Sequence, residues 1–263
     1  MAQTYNPAAR RIRRANPIAG LRVAITGGTS GLGLALVREF GACGGRVAFV
    51  ARDRAHVERI ATATGACGIV GDIARKEDTH AIAMQIVGLL GGLDVLINNA
   101  SSLGPVPLRP LGDTDCEDLE LALATNLVGP FRLTKALLGA LAASARESRG
   151  AVVLNVSSDA AINAYPGWGA YGASKAALHH LSRIWQEEFA TQGVHFLSLD
   201  PGDMDTPLHA LAVPDADRST LKRPETAARE LIAAATVALA GRSGRQRSHV
   251  GADAGVEAAA APG

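Results

Sequence analysis

Short, nearly continuous apolar runs alternate along the chain with longer stretches whose apolar positions recur every three or four residues. The runs are residues 21–25, 46–50, 67–70, 93–97, 151–156 and 194–199. Their lengths suit strands, and their lack of polar alternation marks strands covered on both faces. Helical spacing follows Leu34, resumes from about Arg54, and runs from Lys76 to Leu90 and from Cys116 to about Ala143. It returns around Tyr171 as far as Thr191, and again near Pro224. Such alternation predicts an α/β fold with one parallel sheet and helices on both faces, its crossovers right-handed and the sheet doubly wound. The ends depart from this pattern. Residues 1–19 read as a flexible basic leader containing Arg10-Arg-Ile-Arg-Arg14, and residues 253–263 as a disordered low-complexity tail. A single domain is expected over 20–252.

Two patterns carry candidate chemistry. Between the first strand and the first helix lies Thr26-Gly-Gly-Thr-Ser-Gly-Leu-Gly33. Gly27 suits a tight turn off the strand, Gly31 a close approach of main chain to a pyrophosphate, and Gly33 close helix–strand packing. The amides of Thr29, Ser30, Gly31, Leu32 and Gly33 would face phosphates at the helix N-terminus. The second pattern is Tyr171 and Lys175, one helical turn apart on one face. An ammonium beside a phenol favours the phenolate, so the spacing predicts a lowered Tyr171 pKa and a group able to exchange a proton with substrate.

Composition narrows the partners. The 263 residues carry a formal net charge of +1, so no long-range field draws the chain to nucleic acid or to a membrane surface. No apolar run is long enough to span a bilayer. Cys43, Cys67 and Cys116 are widely spaced and the seven histidines form no ligand cluster, so inert thiols, a cytoplasmic location and no metal are expected.

Thr26-Gly-x-x-x-Gly-x-Gly33, Asn98-Asn-Ala100, Asn126, Ser158, Tyr171-x-x-x-Lys175, Pro201-Gly202 and Thr206 occur in an order and spacing that resembles the classical short-chain dehydrogenases/reductases. The resemblance covers roughly residues 20 to 240. It implies a Rossmann-type fold and hydride transfer between a nicotinamide cofactor and a ketone or secondary alcohol. It further implies a tetrad in which Tyr171 is the general acid/base and Ser158 steadies the substrate oxygen. Lys175 would lower the tyrosine pKa and hold the ribose, and Asn126 would hold a water leading from Lys175 to solvent. Ser157 is the rival to Ser158. By the same resemblance Asn99 and Ala100 meet the cofactor ribose, Pro201 and Gly202 cover the nicotinamide, and Thr206 lies near its carboxamide or the diphosphate. Asp72 binds the adenine amino group or is a turn aspartate, with Ile73 packing on the ring.

Cofactor choice turns on Val50-Ala51-Arg52-Asp53. Ala51 stands where NAD-preferring relatives carry an acidic residue, and Arg52 can clamp the 2′-phosphate of NADP. The alternative gives Asp53 to an NAD ribose; a third assignment makes Asp53 a helix cap. Leu103, Tyr165, Trp168, Met204 and Leu208 are candidates for an apolar substrate wall, or ordinary loop packing. A homodimer or homotetramer is implied by the resemblance. Only Ser248-His-Val-Gly-Ala252 offers a seventh strand. A dinucleotide-binding regulator without turnover is the reading outside the enzymes, though such a protein needs neither Ser158 nor Tyr171.

Overall fold

The computed structural model describes residues 16–147 and 149–240. Six strands form one sheet: β1 (Arg22–Thr26), β2 (Arg46–Ala51), β3 (Cys67–Val70), β4 (Val95–Asn98), β5 (Ala151–Val156) and β6 (Val194–Leu199). Their order is β3-β2-β1-β4-β5-β6, and every neighbouring pair is parallel. The chain winds outward from β1 to β3, then crosses back to place β4 on the other side of β1. That reversal opens a crevice beyond the carboxyl ends of β1 and β4.

The helices are α1 (Gly31–Ala42), α2 (Arg54–Thr64), α3 (Asp78–Leu90), α4 (Cys116–Leu123), α5 (Gly129–Arg146), α6 (Gly169–Phe189), α7 (Pro207–Ala212) and α8 (Pro224–Leu239). Side chains alternate across the sheet as the strand period requires. Val23, Ile25, Val95, Ile97, Val152 and Leu154 pack under α1, α2 and α8. Ala24, Ala48, Val50, Leu96 and Val153 meet α3, α5 and α6 on the other face.

The stretch read as one helix from Cys116 is interrupted. Residues Ala124–Val128 form a π turn between α4 and α5. Gly129 follows it, and a side chain there would run into the Ile73 carbonyl, 2.6 Å from the Cβ position. The interruption therefore goes with a close approach of α5 to the loop after β3. At the other end of the chain, residues 16–19 of the expected leader are tied to the domain. Asn16 donates to the Cys43 carbonyl at 2.7 Å, and Ile18 is buried in the core. Residues 1–15 and the candidate strand 248–252, with the tail 253–263, lie outside the described residues.

At the amino-terminal edge of the sheet sits a buried ion cluster. Asp94 accepts from the Arg22 side chain at 2.7 and 3.1 Å and from the Arg22 amide at 2.8 Å. It accepts from Arg149 at 2.8 and 3.1 Å, and from the Ser144 hydroxyl. Burial alone would raise the Asp94 pKa, but bonds from Arg149, Arg22 and Ser144 outweigh it and hold the carboxyl far below the usual range.

Candidate active site

A cleft of about 1040 Å³ opens at the carboxyl ends of the strands. Every sequence-derived site residue lines it except Asn126. At its floor, Gly27 has φ +72° and Gly31 φ +48°, conformations that side chains disfavour. A Cβ on Gly33 would collide with the Gly27 carbonyl oxygen, so a bare backbone is required where helix meets turn. Ser30 occupies the N-cap of α1, yet its side chain caps nothing, and the first turn holds no acidic residue. The uncapped amides at this helix start thus face the cleft with their positive end unneutralised, which fits a pyrophosphate.

The turn is held by the first residue of the glycine motif and by the segment after β4. The Thr26 hydroxyl accepts from the amides of Asn99 and Ala100, both at 3.0 Å. The Asn99 side chain donates back to the Thr26 carbonyl at 2.9 Å and the Gly27 carbonyl at 3.3 Å. Its amide group therefore clamps strand to glycine loop, while Ala100 and the Asn99 backbone remain at the cleft wall. Asp72 accepts from the Ala74 amide at 2.9 Å, which makes it a turn aspartate that still borders the cleft beside buried Ile73.

At the end of β2, Asp53 caps α2, accepting from the His56 amide at 2.7 Å. Arg52 beside it is exposed and, among the described residues, has no carboxylate partner. His56, which the sequence reading passed over, borders the same end of the cleft.

Tyr171 and Lys175 share one face of α6, both almost fully buried. The Lys175 ammonium lies 5.5 Å from the centre of the Tyr171 ring and donates to the Val156 carbonyl at 2.8 Å. The expected lowering of the tyrosine pKa is corrected here. Burial pushes Tyr171 up to about 12, with Asp200 and Asp159 adding to the rise, while hydrogen bonds with Ser158 and Ser101 oppose it. Lys175 points at a carbonyl and over the ring, not at the phenol oxygen, and burial pulls its own pKa down to about 8. Both rival serines border the cleft; the Ser158 hydroxyl is the one that acts on the Tyr171 phenol, while Ser157 is buried and its amide donates to the Leu199 carbonyl at 2.8 Å.

The Asn126 side chain is engaged wholly by the protein. Its side chain donates to the Ser102 carbonyl at 2.7 Å and to the Ser174 hydroxyl at 2.9 Å. Its oxygen accepts from the Ser102 amide at 2.8 Å and the Ser101 hydroxyl at 3.2 Å. Two donors and two acceptor sites are all taken, so this amide has no capacity left for a bridging water. It fastens the π turn to the loop after β4 and to α6.

Leu103, Trp168 and Leu208 gather around Tyr171, with the Trp168 ring edge-on at 5.7 Å. Tyr165 is half exposed and donates its hydroxyl to Asp159 at 2.7 Å. Met204 borders the cleft but packs on the α1–α8 side of the sheet and pairs with Lys222. The segment over the cleft is pinned by a two-bonded ion pair from Arg218 to Asp205, at 2.9 and 3.0 Å. Among the described residues, no group of histidine, cysteine or carboxylate side chains could hold a metal, and no helix is long and apolar enough to cross a membrane.

Residues 22–217 match the family described as short chain dehydrogenase. An uncharacterized oxidoreductase of Mycobacterium tuberculosis is 33% identical over 231 residues, 84% of this chain and 85% of its own. A 3-ketoacyl-(acyl-carrier-protein) reductase from Brucella melitensis, solved in complex with NADH, superposes with a TM-score of 0.75 at 25% identity, covering 84% of this chain and 91% of its own. A short chain dehydrogenase from Shigella flexneri, solved with NADP, has the same fold at a TM-score of 0.75 and 23% identity, over 86% of this chain and 93% of its own. With the match spanning most of the sheet and its cleft, the chain belongs to the short-chain dehydrogenase/reductase family of oxidoreductases, which bind a nicotinamide dinucleotide.

Proposed function

We propose that the protein is an NADP-dependent carbonyl reductase and alcohol dehydrogenase, with Tyr171 exchanging the proton at the substrate oxygen. One observation carries the chemical half of this reading. A phenol, Tyr171, and a hydroxyl, Ser158, line the same cleft, whose neighbouring surface is apolar. Two such groups bracket one oxygen atom. In reduction Tyr171 gives its proton to that oxygen, and in oxidation it takes the proton away. Ser158 stabilises the charge that develops there. Lys175 holds the ribose and lends positive charge beneath the ring. The nicotinamide, when bound, supplies or accepts the hydride. A phenol pKa of about 12 keeps Tyr171 protonated at neutral pH, the state that reduction needs.

The choice of NADP rests on Arg52. Asp53 is committed to capping α2, which weakens its candidacy as a ribose ligand, and Ala51 offers no carboxylate. Thr29 and Ser30 border the same end of the cleft and supply short donors. A substrate with an apolar body would sit against Leu103, Trp168 and Leu208. As a partner the reading includes a second copy of this chain in a cytoplasmic homo-oligomer. An apolar groove along α5 and α6, lined by Leu127, Phe131, Leu181 and Ile184, offers a face for it.

A panel of ketones, aldehydes and secondary alcohols, followed through NADPH absorbance, identifies a usable substrate. On that substrate Tyr171→Phe should lose on the order of 100-fold or more in rate while still binding NADP. A variant that keeps most of its turnover would remove the role given to Tyr171.

A further inference from the structure

Resting on the carbonyl chemistry given above to Tyr171 and Ser158, we propose that the substrate is a ketone or secondary alcohol with an extended apolar chain and no anionic group, the chain lying along an apolar rim at the mouth of the cleft. The reacting end is walled by Leu103, Trp168 and Leu208 around Tyr171. The apolar surface does not stop there. Leu208, Leu211 and Ala212 fall on one face of α7, three and four residues apart, and all three line the cleft. Val213 continues the line past the helix end. Other elements add Val106, on the loop that carries Leu103, and Leu121, from α4.

The outer members of this set are left open to solvent. Leu211 is 52% exposed, Val106 51%, Leu121 45% and Val213 37%. Exposed apolar side chains scattered singly over a surface need no partner. Several around one opening, continuous with a reaction site, form a patch that an apolar ligand would cover. The segment carrying α7 is fixed at its base. The Lys222 amide donates to the Asp203 carbonyl and the Asp205 amide to the Lys222 carbonyl, both at 3.0 Å. Bonds of the protein itself thus hold α7 at the cleft.

Charge sets the second half of the substrate class. Asp159 and Asp203 line the cleft, and both are exposed. Among the described residues, the lysine and arginine side chains that line it are Arg52 and Lys175. Arg52 lies at the end of β2, and Lys175 is buried and donates to the Val156 carbonyl. Arg218 and Lys222 are paired with Asp205 and Glu230 and lie outside the lining. His209 stands 3.9 Å from the Asp203 carboxylate, which offsets its charge when it is protonated. A carboxylate or phosphate on the substrate chain would therefore meet like charge, whereas an alkyl chain meets the rim.

Methyl ketones from butanone to decanone, reduced with NADPH, test the chain. Their kcat/KM should rise about twofold to fourfold per added methylene until the rim is filled. Leu211→Ser should lower kcat/KM for decanone about fivefold or more and leave butanone within about twofold. Val106→Ser, on a separate element, should reproduce that split and stands in should Leu211→Ser not fold. Decanone ended by a carboxylate should be at least about tenfold poorer than decanone itself, and Asp203→Asn should narrow the gap about twofold to threefold. A rate flat or falling with chain length, equal losses on short and long ketones, or a carboxylate-ended ketone used as well as decanone overturns the inference. So does a changed solution mass in Leu211→Ser, which would give the rim to a second copy. Calorimetry of the same ketones with the NADP⁺-loaded protein reads the rim without turnover. Affinity that climbs with chain length while every ketone stays unreduced upholds the rim and removes the underlying reading. Ketones reduced without regard to chain length remove this inference alone.

Discussion

A lysine buried as deeply as Lys175 costs the folded state stability whenever it is charged. Its pKa falls from 10.5 in the open chain to about 8 in the fold, chiefly through burial. Between those values the unfolded chain binds more protons than the folded one, so stability rises with pH across that window. Lys175→Met should accordingly raise Tm of the cofactor-free protein at pH 7, by an amount worth up to about 3 kcal/mol. The gain should shrink between pH 8 and 10.5, while turnover is lost at every pH. Thermal melts across that range check both halves. Arg52 lies at the other end of the cleft and is read by affinity. Arg52→Ala should weaken NADP about tenfold to hundredfold and leave NAD nearly untouched, because only NADP carries the 2′-phosphate. Adding Ala51→Asp should turn the preference to NAD. Fluorescence titration with both cofactors decides, and equal weakening of the two would remove Arg52 from the phosphate.

The π turn of residues 124–128 shows what an element can do that its sequence does not announce. Asn126→Ala removes four hydrogen bonds at once and strands the Ser102 amide and carbonyl in a buried position. A loss of about 2–4 kcal/mol is expected, with weakened NADP binding as the loop after β4 loosens. Chemical denaturation alongside cofactor titration reads both effects. The strands were legible because burial on both faces leaves long apolar runs, and the glycine loop because backbone needs restrict residue type. The π turn was hidden because one extra residue barely disturbs a 3.6-residue period. Spacing placed Tyr171 and Lys175 on one face, but the sign of the tyrosine shift depends on burial, which spacing does not carry. The bonds of Asn99 and Asn126 to the protein likewise depend on which loops meet, and no short motif encodes that. The Asp94 cluster draws on positions 22, 94, 144 and 149, too far apart in sequence to read as one unit.

In the whole molecule, the groove along α5 and α6 leaves Phe131 and Ile184 partly exposed in an apolar setting. If a second copy covers it, Ile184→Glu should convert the oligomer to monomer in light scattering, and Phe131→Glu should do the same. An unchanged mass would move the interface elsewhere. Acid stability belongs to this scale too. The Asp94 carboxyl titrates far below its open-chain value near 3.9, so its contribution is complete above about pH 4 and fades as pH falls. Asp94→Asn should lower stability at neutral pH by about 3–5 kcal/mol, since two guanidinium groups lose their partner. It should also flatten the acid limb of the stability profile, which melts at stepped pH would show.

That cluster lies at the opposite pole of the sheet from the cleft. Strands of four to six residues keep the two apart by roughly 17 Å, beyond the range at which substitutions usually interact. Endurance and chemistry can therefore drift separately in descendants of this chain. New side chains at Leu103 or Leu208 can retool what is recognised without loosening the bolt, and changes at Arg22 or Arg149 can adapt the protein to heat or acid while leaving each turnover as it was.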